Sequence, residues 1–299
     1  MGVVSMELQP ALKRMAKDID ILFDTWLKVP DDSRDTLYQA MRHAAIGGGK
    51  RMRPMLVVAA SKLFNVDRDS AMRVGFVVEC IHVYSLIHDD LPCMDDDDLR
   101  RGKPTVHKAF DEATAVLAGD CLLALAFQIL GEEATHPDPF VRAELMVELA
   151  RASGPAGMGG GQMMDLAAEH KQLDLPAVTR LQQLKTGALI GFCLEAGAIL
   201  GRIPPDKRTH LRGYARDLGL AFQIADDLLD VEGDEAAAGK KLGKDAQAGK
   251  ATFVSLLGAD RARQQAEMLV EQAIDHLRDF GKEANLLRAI ARYAIERNY

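Results

Sequence analysis

The sequence predicts an all-α protein made of one helical bundle, and three observations support this fold class. Apolar residues recur at steps of three and four along most of the chain, which is typical of amphipathic helices. Sustained apolar–polar alternation and Asn-Gly turns, the marks of strands and hairpins, are missing from the sequence. Short breaks rich in glycine and proline separate the helical segments. About ten helices joined in this way form a bundle, and we expect residues 1–299 to be a single domain.

The composition indicates a soluble chain without a nucleic-acid surface. Its 299 residues are 48% hydrophobic, enough for a sizeable core, and its formal net charge is -7. The N-terminus lacks a signal-peptide pattern, and no uncharged apolar run reaches the roughly 18 residues of a membrane helix. The four cysteines lie mostly in apolar sequence without CxxC spacing, so we expect buried free thiols in a reducing compartment. These features predict a cytoplasmic protein.

The first part of the chain predicts two helices that lead to a glycine-rich basic loop. An amphipathic helix over 6–28 and a second helix after a proline break precede the sequence GGGKRMRP at 47–54. Its three glycines let the backbone approach a ligand closely, and Pro54 suits the first turn of a new helix. Lys50 and Arg53 then lie beside a positive helix N-terminus, which predicts an anion site. The alternative interpretation is an exposed basic loop.

Helices over 54–64 and 70–88 follow, and the second of them leads into a strongly acidic stretch. Six aspartates and then two arginines follow closely: Asp89, Asp90, Asp95, Asp96, Asp97, Asp98, Arg100 and Arg101. Carboxylates this crowded repel one another, and magnesium is the hard cation that would neutralise them while also taking a substrate phosphate. Arginine forks suit the same phosphate. Taken alone, the acidic run is equally compatible with a solvated loop.

One histidine of the helix over 70–88 shares a face with this acidic stretch. His82, Ser85 and Asp89 follow one another at steps of three and four. A single histidine is usually a structural residue, but the position of His82 on the acidic face makes it a candidate phosphate donor. We interpret His88 and His107 as structural.

The middle of the chain predicts apolar helices over 111–133 and 140–151, and a Gly/Pro break before a further helix start at residue 162. Asp165, near that start, either belongs to a helix terminus or orients a cationic partner. A long helix over 176–200 carries Lys185 and Thr186. Because its neighbours are uncharged, Lys185 would point into an apolar groove, where a lysine usually needs an anionic partner.

The helix over 205–231 ends in a second acidic cluster. Four polar residues are spaced to form one stripe: Gln223, Asp226, Asp227 and Asp230. Two acidic helix ends that face each other would form two walls around magnesium ions holding a diphosphate, and the metals would stabilise its charge as it leaves. A segment rich in glycine and lysine, 239–250, follows and includes Lys240. It is either a lid over the diphosphate or a mobile surface loop.

These motifs resemble, in family order and over nearly the whole length, the trans-prenyltransferases of the bacterial farnesyl diphosphate synthase type. The segments that carry the resemblance are GGGKRMRP, LIHDDLPCMDDDDLRRGKPTVH, GGGQMMDL, LKTGALI, GLAFQIADDLLDVEGD and the Gly-Lys loop. The resemblance implies an all-α bundle around a central cavity, usually a homodimer. It also implies condensation of isopentenyl diphosphate with dimethylallyl and then geranyl diphosphate, by ionisation, condensation and proton loss. The resemblance further implies three magnesium ions per site, with manganese as a candidate substitute.

The resemblance assigns roles to the residues singled out above. The metal sites would use Asp89 and Asp95 with Asp90 in support, and Asp226 with Asp227 and Asp230. The allylic diphosphate would be held by Arg100, Lys185 and Lys240. Isopentenyl diphosphate would be held by Lys50, Arg53, His82 and Arg101. The allylic cation would face the oxygen dipoles of Thr186 and Gln223 and the ring of Phe222. No side-chain general base is needed, since the departing diphosphate takes the proton.

The length of the product is expected to depend on residues just before the first acidic stretch. The family uses the positions of Tyr84 and Ser85 as the floor of the cavity, and an aromatic residue there resembles fifteen-carbon enzymes. Geranylgeranyl or geranyl diphosphate synthesis is the alternative within the class. A terpene cyclase and a non-catalytic partner subunit are alternatives outside it. The second Asp-rich motif argues against a terpene cyclase, and the intact metal motifs argue against a non-catalytic partner subunit.

Overall fold

The structure is a computed structural model that describes residues 3–168, 171, 173–232 and 251–296, and it confirms the all-α class. The first six α-helices and a small hairpin are α1 Val3–Trp26, α2 Asp35–Ala45, α3 Met52–Lys62, α4 Arg68–Asp89, β1 Leu99–Arg100, β2 Lys103–Pro104, α5 Val106–Ala109 and α6 Glu112–Gly131. The remaining described helices are α7 Pro139–Ser153, α8 Met158–Ala168, α9 Leu175–Gln182, α10 Ala188–Leu200, α11 Thr209–Glu232, α12 Phe253–Leu257, α13 Ala259–Asp275 and α14 Asn285–Glu296. Two short 3₁₀ turns, Pro205–Arg208 and Lys282–Ala284, precede α11 and α14.

Aspartates occupy the N-cap positions of four of these helices. The carboxylates of Asp67, Asp111, Asp138 and Asp174 each accept backbone N–H groups from the first turn of the helix that follows. An aspartate in this position satisfies amides that the helix cannot pair, and replacing one by alanine typically costs about 1 kcal/mol. Helix starts are therefore encoded locally.

Helix α4 lies at the centre of the bundle and carries the first acidic stretch at its C-terminal end. It packs against α3, α6 and α10. Val74, Val77, Val78 and Ile81 have no exposed surface. The apolar helix α10 is buried on nearly all sides between α3, α4, α7 and α11. This arrangement holds α4 and α11, whose ends bear the two acidic clusters, on one rigid frame.

The helix predicted over 176–200 corresponds to α9 and α10, which a π-helical turn at Gln183–Gly187 joins. A π turn inserts one residue into the hydrogen-bond ladder and changes the direction of the side chains around it. Such turns occur most often at functional sites. Lys185 and Thr186 lie inside this one.

The hairpin β1–β2 was not predicted from the sequence. Leu99 pairs with Pro104 and Arg100 with Lys103, so Arg101 and Gly102 form a two-residue turn. Their φ angles are 53° and 74°. Positive φ at both central residues is what a type I′ turn requires, and the turn twists in the same sense as the strands. Holding a non-glycine residue there costs about 1–2 kcal/mol, which other contacts must offset.

Within the part of the chain that the structure describes, three segments are long and apolar enough, by length and composition alone, to cross a membrane: Arg68–Asp89, Glu112–Gly131 and Leu175–Leu200. In the bundle, 67%, 39% and 56% of their most apolar windows are buried, in that order. Packing into the core therefore accounts for much of the apolar surface of the first and third. Helix α6, Glu112–Gly131, buries the least.

The expectation for the cysteines is correct for two of them. Cys80 and Cys193 are buried free thiols, and burial raises the pKa of Cys193 to about 12. Cys121 is half-buried, and Cys93 is exposed because it lies in the loop that follows α4 rather than in a helix. No pair among these four thiols is bonded in the structure.

Candidate active site

The loop after α4 folds back so that the carboxylates on either side of it lie close together. The backbone N–H of Asp95 donates to the carbonyl of Asp89 at 2.8 Å, and that of Asp97 to the carbonyl of Asp90 at 3.2 Å. Burial raises the pKa of Asp89 to about 6; the positive charge of Lys185 opposes this shift, and the charge of Asp95 adds to it. A carboxylate held this far above its ordinary pKa is a position where a cation is favourable.

Asp90 is turned inward and paired with an arginine of the hairpin. It is 3% exposed, and its Oδ1 accepts from Arg100 at 2.6 Å. Arg100 also donates to the carboxylate of Asp97 at 3.3 Å. Burial raises the pKa of Asp90, and the hydrogen bond from Arg100 opposes that shift. Asp90 thus orients Arg100 toward the first acidic wall.

The hairpin is fastened to the end of α2. His43 donates through Nε2 to the carbonyl of Pro104 at 2.7 Å, and Lys103 donates through Nζ to the carbonyl of Ile46 at 3.1 Å. The glycine-rich loop begins directly after Ile46. A Cβ at Gly48 or Gly49 would lie 2.9 or 2.7 Å from the side chain of Arg101, so Arg101 lies directly over this loop. Side chains at these two positions would push the guanidinium away.

The positive groups of the loop and hairpin converge on His82. Desolvation is the main reason that the pKa of His82 lies well below its ordinary value. The charges of Arg53 and Arg101, and then of Arg100 and Arg51, lower it further. The Nε of Arg53 is buried without a hydrogen-bond partner among the described residues. A buried donor in a field of several cations is the environment that an anionic group stabilises.

Arg51 holds the loop in place and was not singled out from the sequence. Its φ is 51°, and its buried guanidinium is 2.6 Å from Glu79 and 2.9 Å from Asp20. Asp20 also accepts the backbone N–H of Gly47 at 3.3 Å. Breaking a buried pair of this kind typically costs about 3–5 kcal/mol. The sequence did contain a signal for this ion pair, because Glu79 is the only acidic residue between positions 70 and 88 and a carboxylate buried in such an apolar helix needs a cationic partner.

The remaining basic residue of the loop, Lys50, is exposed at its surface. Its Nζ lies 5.9 Å from the centre of the Tyr293 ring on α14, within the range of a cation–π contact. The C-terminal helix therefore borders the basic cluster.

The two alternatives for Asp165 are resolved by a direct ion pair. Its carboxylate on α8 lies 2.7 Å from Nζ of Lys185. A Cβ at Gly161 would lie 2.2 Å from the backbone N of Lys185, so α8 and the π-helical turn are in backbone contact. Asp165 orients a cationic partner, and Lys185 has the anionic partner that its apolar surroundings require.

A chain of hydrogen bonds joins the π-helical turn to the second acidic cluster. The hydroxyl of Thr186 donates to Oε1 of Gln223 at 3.3 Å, and Nε2 of Gln223 donates to Asp227 at 2.9 Å. The other oxygen of Asp227 accepts the backbone N–H of Phe253 at 2.9 Å. Asp227 is 4% exposed, whereas Asp226 is exposed and Asp230 half-buried. The predicted stripe is therefore divided, with Asp227 turned into the protein.

A family model described as polyprenyl synthetase matches residues 34–293. The chain belongs to the polyprenyl synthetase family. The farnesyl diphosphate synthase of Escherichia coli (strain K12) is 46% identical over 271 residues, 87% of this chain and 89% of that one. An FPP/GFPP synthase structure from Zymomonas mobilis is 62% identical, with TM-score 0.88 and coverage of 97% and 99% of the two chains. The geranyltransferase structure from Helicobacter pylori, in complex with magnesium and isoprenyl diphosphate, is 32% identical, with TM-score 0.83 and coverage of 96% and 98%.

Polyprenyl synthetases use isopentenyl and allylic diphosphates and depend on magnesium, and the donor set of this chain fits that ion. The exposed or half-buried carboxylates of both walls offer oxygen alone, and the raised pKa of Asp89 marks a need for positive charge. Within the described ranges, no three His, Cys, Asp or Glu side chains form a ready-made cage. Magnesium normally binds through one or two carboxylates plus waters and substrate phosphate, so it does not require such a cage.

The residues expected at the floor of a polyprenyl synthetase cavity lie on α4 beside the acidic wall. Burial, and then the charge of Asp89, raise the pKa of Tyr84. The hydroxyl of Ser85 donates to the carbonyl of His82 at 2.9 Å. Phe222 is half-buried against the core. The expectation for Lys240 and the Gly-Lys loop at 239–250 falls outside the described residues.

Proposed function

We propose that this polyprenyl synthetase is a farnesyl diphosphate synthase, a prenyltransferase that adds isopentenyl diphosphate to dimethylallyl and then geranyl diphosphate and releases diphosphate. The observation that carries the proposal is the presence of two different anion sites on adjoining elements. One is the acidic wall of α4 with Lys185 beside it, which requires metal ions. The other is the basic cluster around His82, which binds an anion without them. Two diphosphate substrates need two such sites.

The allylic diphosphate belongs at the acidic walls. We assign the magnesium ligands to Asp89 and Asp95 on the first wall and to Asp226 and Asp230 on the second, with three ions per site and manganese as a substitute. Bound magnesium neutralises the diphosphate and stabilises its charge as it leaves. The side chains of this chain that donate to the same oxygens are Arg100 and Lys185, each oriented by its own aspartate. Lys240 has this role by resemblance.

Thr186 of the π-helical turn and Gln223 of α11 stabilise the allylic cation. The proton of the Thr186 hydroxyl is committed to Gln223, so the lone pairs of both oxygens remain available to face positive charge. Asp227 fixes the amide of Gln223 and the start of α12, so we assign it a positioning role, and the metal-ligand role expected for it stays a prediction. The ring face of Phe222 adds a cation–π contribution.

Isopentenyl diphosphate belongs in the basic cluster. Lys50, Arg53 and Arg101 supply positive charge, and His82, which is neutral before the substrate binds, supplies an N–H donor. This arrangement holds the double bond against the allylic cation, so that the new carbon–carbon bond forms at once. The proton lost afterwards goes to the departing diphosphate, and no side-chain base is required.

A single assay separates the candidate functions. The purified chain is mixed with magnesium, isopentenyl diphosphate and dimethylallyl diphosphate, and both diphosphate release and product length are measured. Farnesyl diphosphate as the main product is the expected result. Geranyl or longer products would reassign the chain length, and cyclic hydrocarbons formed without isopentenyl diphosphate would indicate a terpene cyclase. No diphosphate release would indicate a non-catalytic partner subunit.

We further propose that the chain, a single domain and cytoplasmic, forms a homodimer through the exposed face of α6. Only 39% of the most apolar stretch of α6 is buried, although α6 is the most apolar of the three segments. Leu117 is 54% exposed and Val116 41%. A second copy of the same helix would cover this apolar face. Light scattering should give twice the mass of one chain, and Leu117→Glu should give a monomer. A parent that is monomeric and floats with lipid vesicles would overturn the dimer.

A further inference from the structure

We propose that His88 and Gly119 set the product length by fixing the ring of Tyr84 across the path of the growing tail. In this arrangement the ring of Tyr84 blocks the growing tail, and His88 positions that ring. Gly119 leaves the space that the imidazole of His88 occupies. The inference rests on the proposed function, and it concerns which product is released rather than whether one is formed.

The three residues form a stack between α4 and α6. The ring centroids of Tyr84 and His88 are 5.8 Å apart with planes at 73°, an edge-to-face contact between side chains one helical turn apart. Nε2 of His88 donates to the carbonyl of Val116 on α6 at 3.1 Å. The carboxylate of Asp120 lies 4.0 Å from the same nitrogen. The imidazole is therefore fixed by contacts with α6, and the tyrosine ring packs against the imidazole.

Gly119 is the position that admits the imidazole. A Cβ there would meet Nε2, Cδ2 and Cε1 of His88 at 2.1, 2.5 and 2.7 Å. Real atoms do not approach so closely, so any side chain at 119 forces the ring out of its place. The ring cannot move without losing its hydrogen bond to Val116 and its contact with Tyr84. A glycine on a helix otherwise rich in good helix formers is thus explained by the ring that it accommodates.

The residues beyond Tyr84 limit how far the growing isoprenoid tail can extend once the ring of Tyr84 is displaced. One turn further along α4, on the side of Tyr84, lie Cys80 and Ile81, and both have no exposed surface. Leu122, on the same helix as Gly119, is equally buried. Freeing the tyrosine ring therefore opens space for one more isoprene unit before the tail meets close-packed core. The expected new product is geranylgeranyl diphosphate rather than a long polymer.

Product length is measured for the parent and for four variants, His88→Ala, His88→Phe, Gly119→Ala and Gly131→Ala, on equal amounts of total product. His88→Ala and Gly119→Ala are expected to raise the twenty-carbon fraction at least tenfold. His88→Phe keeps a ring against Tyr84 and is expected to keep the fifteen-carbon product. Gly131→Ala is the matched control on the same helix, because a Cβ there meets nothing within 4 Å.

Two results would overturn the proposal. The first is a parental product in both His88→Ala and Gly119→Ala, since a loosened Tyr84 must change the distribution if it is the stop. The second is equal lengthening in His88→Phe, which would show that the hydrogen bond and not the ring matters. A merely destabilised enzyme loses rate without changing its product. Absence of diphosphate release from the parent would instead refute the proposed function, so the two failures are distinguishable.

Discussion

The carboxylate of Asp165 and the ammonium of Lys185 lie 2.7 Å apart, and this contact joins the glycine-rich helix α8 to the π-helical turn. The Asp165 side chain is 11% exposed and that of Lys185 28%, so the pair is largely shielded from water. Burial raises the pKa of Asp89 on α4, and the charge of Lys185 opposes that rise. One aspartate outside the two acidic clusters therefore fixes the cation that faces the first of them.

Replacing Asp165 by asparagine should impair use of the allylic substrate alone. A hydrogen bond to a charged group contributes about 1.5–3 kcal/mol, so kcat/KM for the allylic diphosphate should fall about tenfold to a hundredfold. KM for isopentenyl diphosphate should stay unchanged. Steady-state kinetics with each substrate varied in turn checks this. Asp260→Asn is the control, because that side chain is 96% exposed on α13. Equal losses for both substrates would argue against a specific role.

Helix positions could be predicted because the signals that define them are local in sequence. The contacts between side chains of the candidate site could not, because they join residues that are distant in sequence. Apolar periodicity and aspartate caps lie within a few residues of the helices they define. The π-helical turn is in backbone contact with Gly161 of another helix, and the inward side chain of Asp227 is bonded to Phe253, 26 residues further along. Arg101 in a type I′ turn is unusual for its residue type, and its position is maintained by contacts with the distant glycine loop. Residue types in the candidate site could therefore be proposed from the sequence. The positioning contact of Asp227 could not, and for Asp165 the sequence offered a cationic partner as one of two alternatives.

The hydrogen bond between Thr186 and Gln223 should appear as coupling between their substitutions. Thr186→Val and Gln223→Leu should each lower kcat by about tenfold or more, as expected for lost dipoles at a developing charge. Because the two oxygens act as a unit, the double variant should lose much less than the product of the single losses. Single-turnover rates of allylic ionisation measure this. Strictly multiplicative losses would mean that the two oxygens act independently.

His82 should take up a proton when isopentenyl diphosphate binds. Desolvation and the neighbouring arginines hold its pKa well below 6.5 in the free protein, so it is neutral at pH 6.5. A bound diphosphate offsets those positive charges and raises the pKa, so lowering the pH toward 6 should strengthen binding. Calorimetry without metal, in two buffers of different ionisation enthalpy, measures the uptake. His82→Gln should reduce it, and His276→Gln should not. Identical uptake in parent and His82→Gln would assign the proton to the ligand.

Tyr84→Ala should lengthen the product, because it removes the ring at the floor of the cavity. Tyr84→Phe keeps the ring and should keep the parental length, which separates steric blocking from the effect of the phenol. Chromatography of the products after phosphatase treatment resolves the chain lengths. Identical products from Tyr84→Ala and the parent would show that the floor lies elsewhere.

Gly49→Ala should weaken isopentenyl diphosphate binding through Arg101. The φ of Gly49 is 86°, so alanine is strained there by about 1 kcal/mol, and its Cβ would also lie 2.7 Å from the guanidinium of Arg101. Gly258→Ala is the control that separates backbone strain from displacement of Arg101, because the φ of Gly258 is 80° but a Cβ there meets nothing within 4 Å. Both variants should lose similar stability in thermal unfolding. Only Gly49→Ala should raise KM for isopentenyl diphosphate, by tenfold or more if a charge-assisted contact is lost. A matching rise in Gly258→Ala would show that general loosening, and not the displacement of Arg101, controls the basic cluster.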